Sequence, residues 1–192
     1  MIRRLVLLSA AAVLLTSTAA SAAGHTVSIV DFDFNGSPTT AALGDTVHWS
    51  NTTGHDHTST DDTPLSLWSF VVHGGTTRDR TFRQAGTYAY HCAIHTFMHG
   101  KVVVPMQGTT SLLTGHHGSI TVATVPAPSG FRYVIQRAAP GGSFRAWRTI
   151  SSATTTWSTG TVGSWRFRAA LLRTSSSARS GWSPTLTVHV SH

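Results

Sequence analysis

The sequence predicts an all-β chain built as two small β-sandwiches. Apolar and polar residues alternate in short runs, and Gly- and Pro-rich turns divide those runs at regular spacing. Charge is also split along the chain. All seven acids (Asp31, Asp33, Asp45, Asp56, Asp61, Asp62 and Asp79) precede residue 80, and there is no Glu. Residues 24–106 hold four basic residues against those seven acids, whereas residues 107–192 hold eight arginines and no acid. Such asymmetry marks two modules.

The chain opens MIRRLVLLSAAAVLLTSTAASAAG, with Arg3 and Arg4, an apolar run, and small residues ending Ala20-Ser21-Ala22. That is the form of a secretory signal peptide over residues 1–23, removed after Ala22 or Ala23. Its apolar part is too short to span a membrane, so the expected location is extracytoplasmic: secreted, periplasmic or in the cell envelope. Residues 24–106 follow as the first module. "HTVSIVDFDF" alternates with Val27, Ile29, Phe32 and Phe34 as its apolar members. "LGDTVHWSN" brings a Gly-Asp turn and a strand with Val47 and Trp49 on one face, "TFRQAGTYAYHC" a further turn and strand, and "GKVVVPM" the last strand. No amphipathic helix of ten residues interrupts them. Residues 107–118, rich in Gly, Thr and Ser, read as a linker. The second module, 119–192, repeats the period-2 pattern in "ITVATV", "FRYVIQRA", "SFRAWRTI", "WRFRAALLR" and "TLTVHV".

The chemistry gathers in "TYAYHCAIHTFMHG", which holds the only cysteine, Cys92. An unpaired cysteine in an exported chain is a buried thiol, a cross-link, a nucleophile or a metal ligand. His95 stands three residues on and Met98 three further. A thiolate, imidazole and thioether together suit copper cycling between two oxidation states. A second histidine must come from a distant strand, and "WSNTTGHDHTST" offers His55 and His57. His57 is preferred because the alternating "TST" after it marks a resuming strand. Taken singly, Cys92 and Met98 would pass for core residues; their joint spacing argues otherwise. Zinc has no use for a thioether. A Cys–His nucleophile would need an orienting group and an oxyanion hole that the loop lacks, so no enzymatic activity is expected. By strand alternation His91 points away from a metal that Cys92 faces.

Residues 27–104 resemble the cupredoxins of the plastocyanin and amicyanin kind. "GDTVHWSN" with a histidine eight residues after Trp49, and "GTYAYHCAIHTFMHGKVVV", are the stretches that carry the likeness. The resemblance implies a Greek-key β-sandwich of eight strands holding one type 1 copper ion, with His57, Cys92, His95 and Met98 as ligands. It also implies single-electron shuttling between redox partner proteins. Where those families carry Asn after the first histidine, this chain has Thr58. Residues 119–192 resemble a fibronectin type III domain, with "FRYVIQRAAPGGSFRAWRT" as its central hairpin. Its arginines suit an anionic envelope polymer or an acidic partner, or stack on aromatic residues of the sheet face; export argues against nucleic acid. The alternative function is an extracytoplasmic copper-binding or storage protein that carries no electrons.

Overall fold

A computed structural model describes residues 22–192. The expected leader lies outside the described residues as far as Ser21. Among the described residues no helix is long and apolar enough to cross a membrane.

Two sheets form the first body. One contains β1 (Gly24–Val30), β2 (Asp33–Asn35), β4 (Thr46–Asn51) and β7 (Thr77–Thr81), in the order β2-β1-β4-β7. The other contains β3 (Thr39–Thr40), β5 (His57–Asp61), β6 (Ser69–Val72), β8 (Gly86–His91) and β9 (His99–Val104), in the order β3-β9-β8-β5-β6. Alternation puts Val47, Trp49 and Asn51 of β4 on the buried face. On β8 it buries Tyr88 and Tyr90 and sends Cys92, two residues further, into the same core. Trp49 lies at the centre, edge to face with Tyr90 at 5.4 Å and with Phe70 at 5.5 Å. Burial of each such side chain stabilises the fold by roughly 1.5–3 kcal/mol.

One expected strand is broken. "HTVSIVDFDF" reads as continuous alternation, yet pairing stops after Val30 and the chain turns at Asp31 and Phe32. Phe32 takes a φ of 68° and is 51% exposed instead of joining the core. The turn lets β2 fold back antiparallel on β1, which an uninterrupted strand could not do.

The second body is also a sandwich. A three-stranded sheet, β10 (Gln107–Gly108), β12 (Gly118–Thr121) and β15 (Thr154–Trp157), faces a five-stranded one. The latter runs β11 (Ser111–Leu113), β17 (Leu186–Ser191), β16 (Gly163–Arg173), β13 (Phe131–Ala138), β14 (Arg145–Ile150). Residues 107–118 are therefore not a free linker. β10 pairs with β12 and β11 pairs with β17, so the Gly- and Thr-rich composition reflects tight strand pairing. At Gly108 a Cβ would collide with the Ser119 carbonyl.

The two bodies share structure. Leu65, Ala85 and Met106 belong to the second core, with Ile120, Tyr133, Phe167 and Val188. Thr87 and Gly181 exchange both backbone hydrogen bonds, at 3.0 and 2.9 Å, and the Thr87 hydroxyl donates to the Trp182 carbonyl at 2.8 Å. Gly181 is required there, because a Cβ would meet the Thr87 carbonyl at 2.8 Å. The Ala85 amide donates to Val122, the Thr124 amide to Arg83, and the Arg173 guanidinium to the Leu65 carbonyl.

Candidate metal centre

Strand ends and one short loop bring three donor atoms together. His57 opens β5 and is fully buried, while Cys92 follows β8 and His95 lies in the turn beyond. The Nδ1 atoms of His57 and His95 are 3.2 Å apart, and Cys92 Sγ lies 3.9 Å from the first and 3.8 Å from the second. Among the described residues this is the one such cluster of histidine, cysteine and acidic side chains.

The spacing suits a central ion. With bonds of about 2.0–2.1 Å to nitrogen and about 2.3 Å to sulfur, three coplanar donors stand about 3.5 Å (N to N) and about 3.8 Å (N to S) apart. Burial, and then the neighbouring His95, hold the His57 ring below the usual histidine range. The ring is thereby kept neutral, the form in which an imidazole nitrogen binds a metal.

Backbone and side-chain hydrogen bonds hold the donors in place. The amides of Thr58 and His95 donate to Cys92 Sγ at 3.3 and 3.4 Å. The Thr58 hydroxyl accepts the Ala93 amide at 2.6 Å, so it spans from the His57 strand to the Cys92 loop. Thr58 therefore braces the two segments against each other. Buried Asn51 fixes the turn ahead of His57 by donating to the carbonyls of His55 and Val72, at 2.7 and 2.8 Å. His55 itself is exposed and stands outside the cluster.

Met98 is buried in the core that contains Cys92. The Cys92 amide donates to the Met98 carbonyl at 3.1 Å, and the Met98 amide to the His95 carbonyl at 2.9 Å, closing the loop on itself. His91 turns outward onto Asp62, as alternation requires, and His99 is exposed on the facing strand.

Residues 21–105 match the family model for copper binding proteins of the plastocyanin/azurin family. The first domain belongs to that family. Its metal is copper, and a thiolate with two imidazoles and a nearby thioether is the donor set copper favours. A reduced amicyanin variant is 32% identical, over 45% of this chain and 85% of its own, with a TM-score of 0.40. An oxidised amicyanin variant is also 32% identical, over 42% of this chain and 80% of its own, with a TM-score of 0.38. No curated protein matches the chain.

One residue of the cupredoxin site escaped sequence reasoning. Phe32 stands edge to face with the His95 ring at 5.1 Å and 5.9 Å from Phe97. Ile94 is 51% exposed and Phe97 67%, so His95 sits within an apolar surface patch. The patch includes Phe32 only because the chain turns there. Nothing in "DFDF" distinguishes a turn phenylalanine from a strand one.

Proposed function

We propose that the first domain is an extracytoplasmic one-electron carrier, with His57, Cys92, His95 and Met98 as its copper ligands. The observation that carries this reading is the convergence of two Nδ1 atoms and one Sγ within 3.2–3.9 Å, with two amides donating to that sulfur. Bound copper supplies the single-electron exchange between its two oxidation states. The residues do the rest. The amides of Thr58 and His95 hold the Cys92 sulfur in position. Thr58 and Asn51 fix both ligand-bearing segments, so the fold sets the spacing and little rearrangement accompanies a change of charge. His95 is the half-exposed member of the set, and its imidazole edge within the Phe32, Ile94 and Phe97 patch is the exit to a redox partner protein. A small apolar contact suits a transient encounter that must release quickly.

We further read the chain as a signal peptide, a cupredoxin domain over 24–106 and a fibronectin type III-like domain over 119–192. Support for the last is its three-stranded sheet opposite a sheet led by β17-β16-β13-β14. This second domain joins β8 at Thr87, five residues before Cys92. At about 3.3 Å per residue that is about 16 Å from the ligand loop. The basic domain thus meets the copper domain away from His95, which favours a role in tethering over one in steering a partner to the port.

The test is the absorption spectrum of the copper-loaded protein. An electron carrier of this kind shows an intense visible band from sulfur-to-copper charge transfer, and a reversible potential. A colourless protein that holds only copper(I) would support storage instead.

A further inference from the structure

The second domain carries positive charge that no side chain neutralises. Residues 107–192 hold eight arginines and no acid. Among the described residues every ion pair joins a histidine to an aspartate of the first domain. Electron transfer at the copper site uses none of these arginines.

Two of them meet where the sandwich is open. β14 and β15 are the free edges of their sheets, with no further strand beyond them on that side. Arg137 lies opposite buried Phe167 across the strands, and Arg148 opposite buried Ile135. Residues directly opposite share a face, so both arginines rise from the core side of the larger sheet. Arg148 crosses to the smaller sheet and donates to the Thr155 hydroxyl. Both guanidinium groups lie against the Trp147 ring, at 5.5 and 4.5 Å, and Arg137 also lies 5.4 Å from Trp165. Trp147 is itself fixed, edge to face with Phe167 at 5.5 Å. From the smaller sheet, Trp157 packs edge to face on the same phenylalanine at 4.8 Å. Between these walls lies a cleft of about 190 Å³, lined by Arg137, Trp147, Arg148, Trp157 and His117. Arg148 is exposed and Arg137 half-buried, so a solute reaches both. Stacking holds the two forks in place, which cuts the entropy lost when a ligand binds.

We propose that this cleft binds a phosphate dianion, free or as a small monoester. Two guanidinium groups beside one cleft repel each other, and an anion between them reverses the sign of that interaction. A phosphate monoester brings about −1.5 to −2 charges and three strong acceptor oxygens. Each planar fork engages two oxygens, so two forks and two charges match one phosphate. A carboxylate, with one charge and two oxygens, satisfies one fork and leaves the other unneutralised. At roughly 30 Å³ per water, the cleft has the room of about six waters, enough for a phosphate and a few carbons. It lies wholly within the second domain, so this goes beyond the electron-carrier reading and does not depend on it.

Titration of inorganic phosphate and of glycerol phosphate into the full-length mature chain tests the proposal, by calorimetry and phosphorus NMR at an ionic strength held constant with chloride. One phosphate per chain is expected, with the same affinity whether or not copper is bound. Arg137→Gln and Arg148→Gln should each weaken binding at least about tenfold, the effect of one charged hydrogen bond. Arg148→Lys keeps the charge but loses the fork, and should fall between Arg148→Gln and the unaltered protein. Arg132→Gln, an exposed charge on the other face of β13, should leave binding unchanged. Thermal unfolding without phosphate reports that each variant is folded. Tighter binding of glycerol phosphate identifies a monoester as the ligand, and equal or weaker binding identifies free phosphate. The proposal is overturned if neither binds, if acetate binds as tightly, or if Arg148→Gln costs no more than Arg132→Gln. A colourless protein that still binds phosphate would sink the electron-carrier reading and leave this one standing.

Discussion

Cys92 is where one atom decides most. Cys92→Ser replaces a soft donor with a poor one, so colour and tight copper binding should both disappear; a variant that stays blue would overturn the ligand assignment. Met98→Leu would remove only the proposed thioether donor, and it should keep a coloured site at a higher potential in redox titration. Thr58 offers a sharper test of how the ligands are held. Thr58→Val keeps the shape but deprives the Ala93 amide of its acceptor, at a cost of about 0.5–1.5 kcal/mol for one lost hydrogen bond. The variant should melt at a lower temperature while its amide still donates to Cys92 Sγ, so the blue band should persist with altered intensity or potential.

Elements turn these residues into a working surface and a pinned first strand. The patch around His95 is assembled from the β1–β2 turn and the loop before β9, two segments far apart in sequence. Ile94→Glu or Phe97→Glu should slow electron exchange with the native partner while leaving the blue spectrum nearly unchanged. An unaltered rate would place the port elsewhere. At the start of β1, Asp45 accepts hydrogen bonds from the His25 ring at 2.6 Å and from the Ala23 and Ala42 amides at 2.8 and 2.9 Å. Burial alone would raise its carboxyl, but these hydrogen bonds outweigh burial and hold it below its ordinary 3.8. A depressed carboxyl contributes stability above the unfolded value that is lost as pH falls through the folded one. Stability should therefore drop below about pH 4, and Asp45→Asn should flatten that acid limb of the unfolding curve.

At the scale of the molecule, the shared core makes the two domains one unit. Removing residues 107–192 would expose Leu65 and Met106 and unpair the backbone of Arg83, Ala85 and Thr87. All four proposed ligands would remain, so the truncated 24–106 chain should still take up copper. Losing about 2–4 kcal/mol of apolar burial should lower its melting temperature by about 10–20 °C. An unchanged melting temperature would show that the interface contributes nothing to stability.

The sequence by itself determined the all-β class, the copper loop and the two-part charge pattern. Strand alternation and the spacing of Cys92, His95 and Met98 are local properties, legible wherever the chain is read. His57 was also within reach, because the alternating residues after it announce a strand. Tertiary structure decided the rest. Phe32 reaches His95 only because the backbone turns at a position where the apolar pattern continues unbroken, and pattern does not report φ. Thr58 acts on the loop after a neighbouring strand and Asn51 on the opposite sheet, partners that residue type alone does not name. Residues 107–118 look like a linker because Gly, Ser and Thr serve loops and closely packed strands alike; only the register of β10 on β12 and β11 on β17 separates the two. The joining of the domains rests on Gly181 meeting Thr87, a contact between residues 94 apart whose only local sign is one glycine.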